Sequence, residues 1–181
     1  MRGLLSMWTE VKDGNPVCLD LFRRHYSYNR KRNQLNFWPI PSDLLFVGPG
    51  EKLVLMTQCG RALFCWRKER YRLDGQTGVN CAVFRNEGAG LASDLIKAAD
   101  CIAWNRWPGE RHYTYVDPSK VRHKRDPGRC FLRAGWRPCG ISKKRRLLIF
   151  ECLPEWVRPT GTNETDRSAG SEGCSKKNQQ T

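Results

Sequence analysis

The segment Val79–Trp107, VNCAVFRNEGAGLASDLIKAADCIAWNRW, carries a strand, a glycine turn and a helix in succession. Val79 to Phe84 is short, β-branched and aromatic, the composition of a strand. Gly88 and Gly90 mark the turn and leave the backbone open to close approach. From Leu91 the apolar residues Leu91, Leu95, Ile96, Ala99, Ile102 and Ala103 recur at helical spacing. Trp107-Pro108-Gly109 ends that helix. A strand that enters a helix through glycines aims unpartnered N–H groups at one place, at the positive end of the helix dipole. Phosphate or pyrophosphate suits such a place. A tight turn that only packs helix on sheet has the same pattern, because short glycine motifs recur by chance.

Around this segment the chain reads in order. Met7–Val11 is expected as a strand and Asp13-Gly14-Asn15-Pro16 as its turn. Val17 to Tyr28 is expected as a helix with Val17 and Leu21 on its inner face. Within it Arg24-His25-Tyr26-Ser27 groups reactive side chains, including the one type that titrates near neutrality. The other reading is a histidine and a tyrosine bonded to backbone at a helix end. Lys31–Phe46 is irregular; its Asn36-Phe37-Trp38 either stacks bases or anchors the loop on the core. Lys52–Thr57 and Ala62–Arg67 form a hairpin. Arg111–Val116 is a strand with Arg111, Tyr113 and Tyr115 on one face and His112 and Thr114 on the other. A short helix over Gly128–Trp136, a basic turn over Lys143–Arg146 and a last strand over Leu147–Cys152 follow. Residues 1–157 form one domain. From 158 to 181 the chain is polar, without aromatics, and is expected to be a disordered tail.

Composition narrows the classes of function. The 181 residues suffice for a core without disulfides. No apolar run approaches the about 20 residues of a membrane span, and the N-terminus lacks a secretory pattern. The expected setting is a cytoplasm, with no membrane partner. Nine cysteines without CxxC or zinc-finger spacing point to reduced thiols rather than a metal site; Cys81, Cys101 and Cys152 are expected in the core. The formal net charge is +14, and residues 111–146 hold twelve Lys and Arg against two Asp. A solvated basic surface would look like this, but the clustering favours a polyanionic partner. The expected backbone contacts are Arg23, Arg24, Arg30, Lys31 and Arg32 in one cluster and Arg122, Lys124, Arg125 and Arg129 in the other.

Arg85-Asn86-Glu87-Gly88-Ala89-Gly90 has the form Arg-x-x-Gly-x-Gly between strand and helix. It resembles the pyrophosphate loop of the GNAT acyltransferase superfamily, Gln/Arg-x-x-Gly-x-Gly/Ala, and the order of elements over Met7–Pro154 is similar to that family's. The resemblance implies an α/β fold: a mostly antiparallel sheet, flanked by helices, in which one parallel strand pair splays. Phe131-Leu132-Arg133-Ala134-Gly135-Trp136 resembles the family's Tyr-x-x-x-Gly-Phe helix end, with Phe131 where the proton-donating tyrosine stands. Within the superfamily the chain resembles the phage-borne Mom group. The matching features are Arg24-His25-Tyr26-Ser27, Phe84-Arg85-Asn86-Glu87, Ser93-Asp94-Leu95-Ile96, His112-Tyr113-Thr114-Tyr115-Val116 and Pro127-Gly128 through Trp136. Mom-type proteins modify the exocyclic amine of adenine in phage DNA, which blocks restriction.

The resemblance implies acetyl-CoA or another acyl-CoA as cofactor and DNA as partner. Amides of Glu87 to Gly90, with Arg85, are expected on the pyrophosphate, and a strand N–H at Asn80–Ala82, centred on Cys81, on the thioester carbonyl. Asp94, His25 or Glu87 is expected as general base, and Ser93 pairs with Asp94 at the helix start. Tyr26, Tyr113 or Tyr115, and less so Cys130, is expected to donate a proton or stack on the base. The alternatives are an ordinary N-acetyltransferase acting on a small amine or a protein, and a nucleic-acid-binding protein that has lost the chemistry.

Overall fold

The computed structural model describes residues 7–28, 45–70, 74–121 and 126–156. The described residues form a mixed α/β fold with one seven-stranded sheet and three α-helices. In chain order the elements are β1 (Trp8–Val11), α1 (Pro16–Arg23), β2 (Glu51–Thr57), β3 (Ala62–Lys68), β4 (Val79–Asn86) and α2 (Ala92–Arg106). They continue with β5 (His112–Val116), α3 (Arg129–Arg133), β6 (Arg137–Ile141) and β7 (Leu148–Cys152). The sheet order is β1-β2-β3-β4-β5-β7-β6. Every neighbouring pair is antiparallel except β4 and β5. The expected lysine- and arginine-rich positions Arg30, Lys31, Arg32, Arg122, Lys124 and Arg125 lie outside the described residues. So do Asn36-Phe37-Trp38 and the tail from 158.

The β4–β5 pair is the feature that positions everything else. Its register holds for three positions, Val79↔His112, Asn80↔Tyr113 and Cys81↔Thr114, and then ends although both strands continue. At the same point the β3 register passes from Cys81 to Val83, so Ala82 has a register partner on neither side. A bulge of this kind bends its strand and is common beside binding sites. It is what turns a continuous sheet into a fork.

Side chains cover both faces of the sheet. One face carries Trp8, Phe64, Trp66, Leu53 and Cys81, packed beneath Leu95, Ile96, Ala99 and Ala103 of α2. The other carries Val54, Leu63, Cys65 and Val83 beneath Cys18 and Leu21 of α1. Three expectations change here. Helix α1 stops at Arg23, and 24–28 are turns. Its inner face begins at Cys18; Val17 is 45% exposed, because Asn15 caps the helix and Pro16 fixes its first turn. On α2, Leu91 is 61% exposed and Cys101 is exposed rather than in the core.

The core contains a polar node. Asp100 of α2 and His112 of β5 are both fully buried, with Oδ1 and Nδ1 2.7 Å apart. Trp136, just after α3, donates its indole N–H to Asp100 Oδ2 at 2.9 Å. The Trp104 ring stacks on His112 at 4.4 Å. Among the described residues His112 Nε2 has no partner, so the bond to Asp100 is the imidazole's one polar contact there and places its hydrogen on Nδ1. One carboxylate thus ties together α2, β5 and the end of α3. These are three of the walls of the fork.

Candidate functional site

A cleft of about 650 Å³ opens where β4 and β5 part. Cys81, Ala82 and Phe84 line it from β4, and Thr114, Tyr115 and Val116 from β5. The head of α2 (Leu91, Ala92, Ser93) closes one end and α3 another. His25 and Tyr26, from the turn after α1, cross the opening. Gly128 stands at the α3 lip with φ 79°, and a Cβ there would run into the Phe150 ring, so only glycine fits. Thr114 Oγ1 donates to Cys81 O at 3.0 Å, bridging the strands at the last paired position.

The glycine loop differs from its expected use. Glu87 N donates to Arg61 O at 2.8 Å; Gly88 N and Ala89 N donate to Asn86 Oδ1 at 3.1 and 2.9 Å. Asn86 Nδ2 in turn donates to Gly90 O at 2.8 Å. Asn86 therefore builds the turn, as short amide side chains do. The amides of 87–89, expected on a pyrophosphate, already have acceptors. The amides of Gly90, Leu91, Ala92 and Ser93 have none among the described residues, and α2 has no side-chain cap. The open N–H groups therefore lie about one helical turn further along, at the start of α2.

Arg85 and Glu87 serve the loop as well. Glu87 accepts from Arg24 Nε at 2.9 Å, Arg24 Nη2 at 3.1 Å and Arg85 Nε at 2.6 Å. Arg85 Nη1 also donates to the Arg24 carbonyl, and Arg24 pairs with Asp20. These bonds latch the turn after α1 to the end of β4. The guanidiniums of Arg24 and then Arg85 hold the Glu87 carboxyl down at about 2, which corrects its expected role as a general base. Arg24, expected on nucleic acid, belongs to this latch. Arg23 is exposed, and Arg129 is exposed and lines the cleft.

The titratable groups of the cleft fall into distinct states. His25 is pushed down to about 4, first by burial and then by the Arg85 charge, so its imidazole is neutral at neutral pH. Its Nδ1 lies 2.7 Å from Ser27 Oγ, and its ring lies 4.3 Å from that of Tyr26. Burial raises the Tyr26 hydroxyl, the Asp117 backbone pulls it partly back, and Cys81 and Cys130 raise it further. Tyr26 is 47% exposed and lines the cleft together with Cys81 and Cys130. Burial also raises the Cys81 and Cys130 thiols.

The remaining expected residues separate. Ser93 is 6% exposed and lines the cleft, whereas Asp94 faces a second cavity beyond Leu91. Tyr113 is 1% exposed and lies away from the cleft, beneath Arg111 and edge-on to Tyr115. Tyr115 lines the cleft, but its hydroxyl donates to Asp74 Oδ2 at 2.8 Å. Phe131 is 6% exposed and lines the cleft with no proton to give. Sequence reasoning did not find Thr114, the free amides of 91–93, or Asp100. Only the helix start at Leu91 signalled the amides. Among the described residues no helix is long and apolar enough to cross a membrane, and no three His, Cys, Asp or Glu side chains group as metal ligands. Comparison of the chain with protein-family models, curated proteins and solved structures gave no match.

Proposed function

We propose that the protein is a GNAT-like acyltransferase that takes an acyl-CoA into this cleft and acylates an exocyclic amino group of adenine in DNA. One observation carries the reading: a parallel strand pair parts over a mostly apolar cleft lined at one end by Leu91, Ala92 and Ser93 of a helix start, whose amides have no partner among the described residues. Those residues fit the cofactor. The cleft has the size of small-molecule sites, and a Cβ on Gly90 would meet nothing within 4 Å, which leaves the backbone approachable.

When bound, the acyl-CoA supplies an activated thioester. The amides of Gly90–Ser93 would hold its anionic middle, and the Ala82 backbone, at the bulge, would serve its thioester carbonyl. In such a transfer a C–N bond would form to the acceptor amine as the C–S bond breaks. His25, neutral at neutral pH, takes the proton from the amine. Tyr26, which lines the cleft with Cys81 and Cys130 and whose hydroxyl burial keeps protonated, would give its proton to the departing thiolate. Tyr26 thereby fills the place that Phe131 leaves empty. A base inside a duplex is out of reach, so the adenine is flipped or single-stranded. Arg129 and Arg133, on the α3 wall, and the net charge of +14 favour a polyanion at the mouth.

Phe131 also favours a second reading, a nucleic-acid-binding protein without catalysis. The test is mass spectrometry of nucleosides from DNA of cells that express the protein or its Tyr26→Phe variant. A modified adenine that disappears in the variant supports the transferase. Unmodified DNA, together with no heat of acyl-CoA binding in calorimetry, leaves the second reading.

A further inference from the structure

Cations gather at the end of the sheet where the fork opens. The register sets Val116, a cleft residue of β5, opposite Leu148, and Leu148 opposite Ile141. The turn that joins β6 to β7, residues 142–147, therefore stands at the cleft end of the sheet. Four of its residues, 143–146, are two lysines and two arginines, and all four are exposed. Ser142 builds the turn: its carbonyl accepts from Arg146 N at 3.0 Å and its hydroxyl from Leu147 N at 2.9 Å. Helix α3 continues the charge, since Arg129 and Arg133 are exposed and line the cleft. The helix is held close to the turn by Phe131, whose ring stacks on Phe150, two residues along β7 from Leu148.

Six exposed cations thus border one side of the mouth. Between 127 and 150 the chain has no Asp or Glu, and Asp126 is the one acid that lines the cleft. Elsewhere surface cations are taken: Lys52 holds Asp13, Lys68 holds Glu110 and Arg106 holds Glu10. None of the six forms a salt bridge among the described residues. Like charges set side by side repel one another, and a row of phosphates relieves that repulsion.

We infer that one strand of duplex DNA lays its phosphates along this track, from the β6–β7 turn to the α3 lip, with the acceptor base entering the fork beside it. This rests on DNA as the partner in the reading above. The contact is electrostatic and indifferent to sequence. Residues 127–150 include neither Asn nor Gln, the side chains that pair with adenine edges, so the choice of adenine falls to the cleft.

The test is fluorescence anisotropy of a short labelled duplex titrated with the full chain, without acyl-CoA, so that transfer plays no part in the readout. Six phosphate contacts give a slope of about −5 for the logarithm of affinity against the logarithm of salt, or about a 10³-fold loss between about 50 and 200 mM. Lys143→Ala with Lys144→Ala is expected to make that slope shallower by about 1.8. Arg146 holds φ 55°, a conformation that suits glycine, so Arg146→Gly removes a charge without lowering the melting temperature. It is expected to make the slope shallower by about 0.9. Lys12→Ala with Lys97→Ala removes two exposed charges from beside the opposite sheet margin and from α2, and leaves the slope unchanged. Duplexes of unrelated sequence give the same slopes.

If the Lys12 and Lys97 pair alters the slope as much as the Lys143 and Lys144 pair, net charge alone is acting and the track is refuted. An unchanged slope for the Lys143 and Lys144 pair also refutes it, and modified adenine in DNA from expressing cells then leaves the transferase reading standing. A native chain that binds no duplex, or that prefers phosphatidylserine vesicles, removes DNA as the partner and the track with it.

Discussion

Replacing Asp100 by alanine takes the acceptor from two buried donors at once, His112 Nδ1–H and Trp136 Nε1–H. Each donor left without a partner costs about 1–3 kcal/mol, so the two together cost about 2–6 kcal/mol. Burial already pushes the Asp100 carboxyl up, so removing the group also relieves an unfavourable desolvation. The net expectation is the lower part of the range, about 3 kcal/mol. That is a large share of the about 5–15 kcal/mol that holds a domain folded. For a chain of this size it lowers Tm by about 6–12 °C. Asp100→Asn keeps one acceptor and satisfies one donor, so it is expected to cost about half as much. Urea unfolding followed by tryptophan fluorescence measures both variants, since Trp104 and Trp136 border the node. An Asp100→Ala midpoint equal to that of the native chain would show that the carboxylate does not hold the three walls together.

Other perturbations test the site directly. Glu87 titrates at about 2 against 4.5 when free, so its latch to Arg24 and Arg85 stabilises above pH 4.5 and is lost as pH falls toward 2; side-chain carbonyl NMR that finds an ordinary carboxyl refutes the latch. His25 is lowered to about 4 from 6.5, so its contribution is present above 6.5 and disappears as pH falls through 4; a ring proton that titrates at 6 or higher in NMR contradicts its burial. Gly90→Trp abolishes acyl-CoA binding in calorimetry and leaves the melting temperature unchanged, because Gly90 is outside the strained region and its Cβ points into open space; retained binding removes the amides of 90–93 from the site. Gly128→Ala forces a positive φ and an overlap with Phe150, and is expected to destabilise by about 1–3 kcal/mol in urea unfolding.

Much of the frame was legible because it rests on local pattern. Strands β2 to β5 and β7 are short apolar or aromatic runs bounded by turn residues, and α2 repeats its apolar positions at helical spacing. Strand β6 escaped because all five of its residues are exposed and it contains Pro138 and Gly140; nothing local distinguishes it from a loop. Asp100 was unreadable for the opposite reason. A carboxylate on a helix normally faces water, and only tertiary packing supplies the imidazole and indole that make its burial tolerable. The cleft residues divide in the same way. His25, Tyr26, Cys81 and Ser93 come together at the fork. The resemblance paired Asp94 with Ser93, its neighbour in sequence, although the adjacent residue on a helix faces another direction and here another cavity. The spacing of Gly88 and Gly90 located the loop, but Asn86 decides which amides remain open, and a side chain's choice of partner is not written in spacing.

Strand β6 bears on how the sheet ends. Its ladder to β7 slips between Pro138 and Gly140, and proline offers no hydrogen for an incoming strand. A second chain aligning along that margin would find an interrupted row of donors, the arrangement by which β proteins discourage fibre growth. The opposite margin, β1, is only four residues long. Among the described residues both margins of the sheet are thus poor templates for another strand.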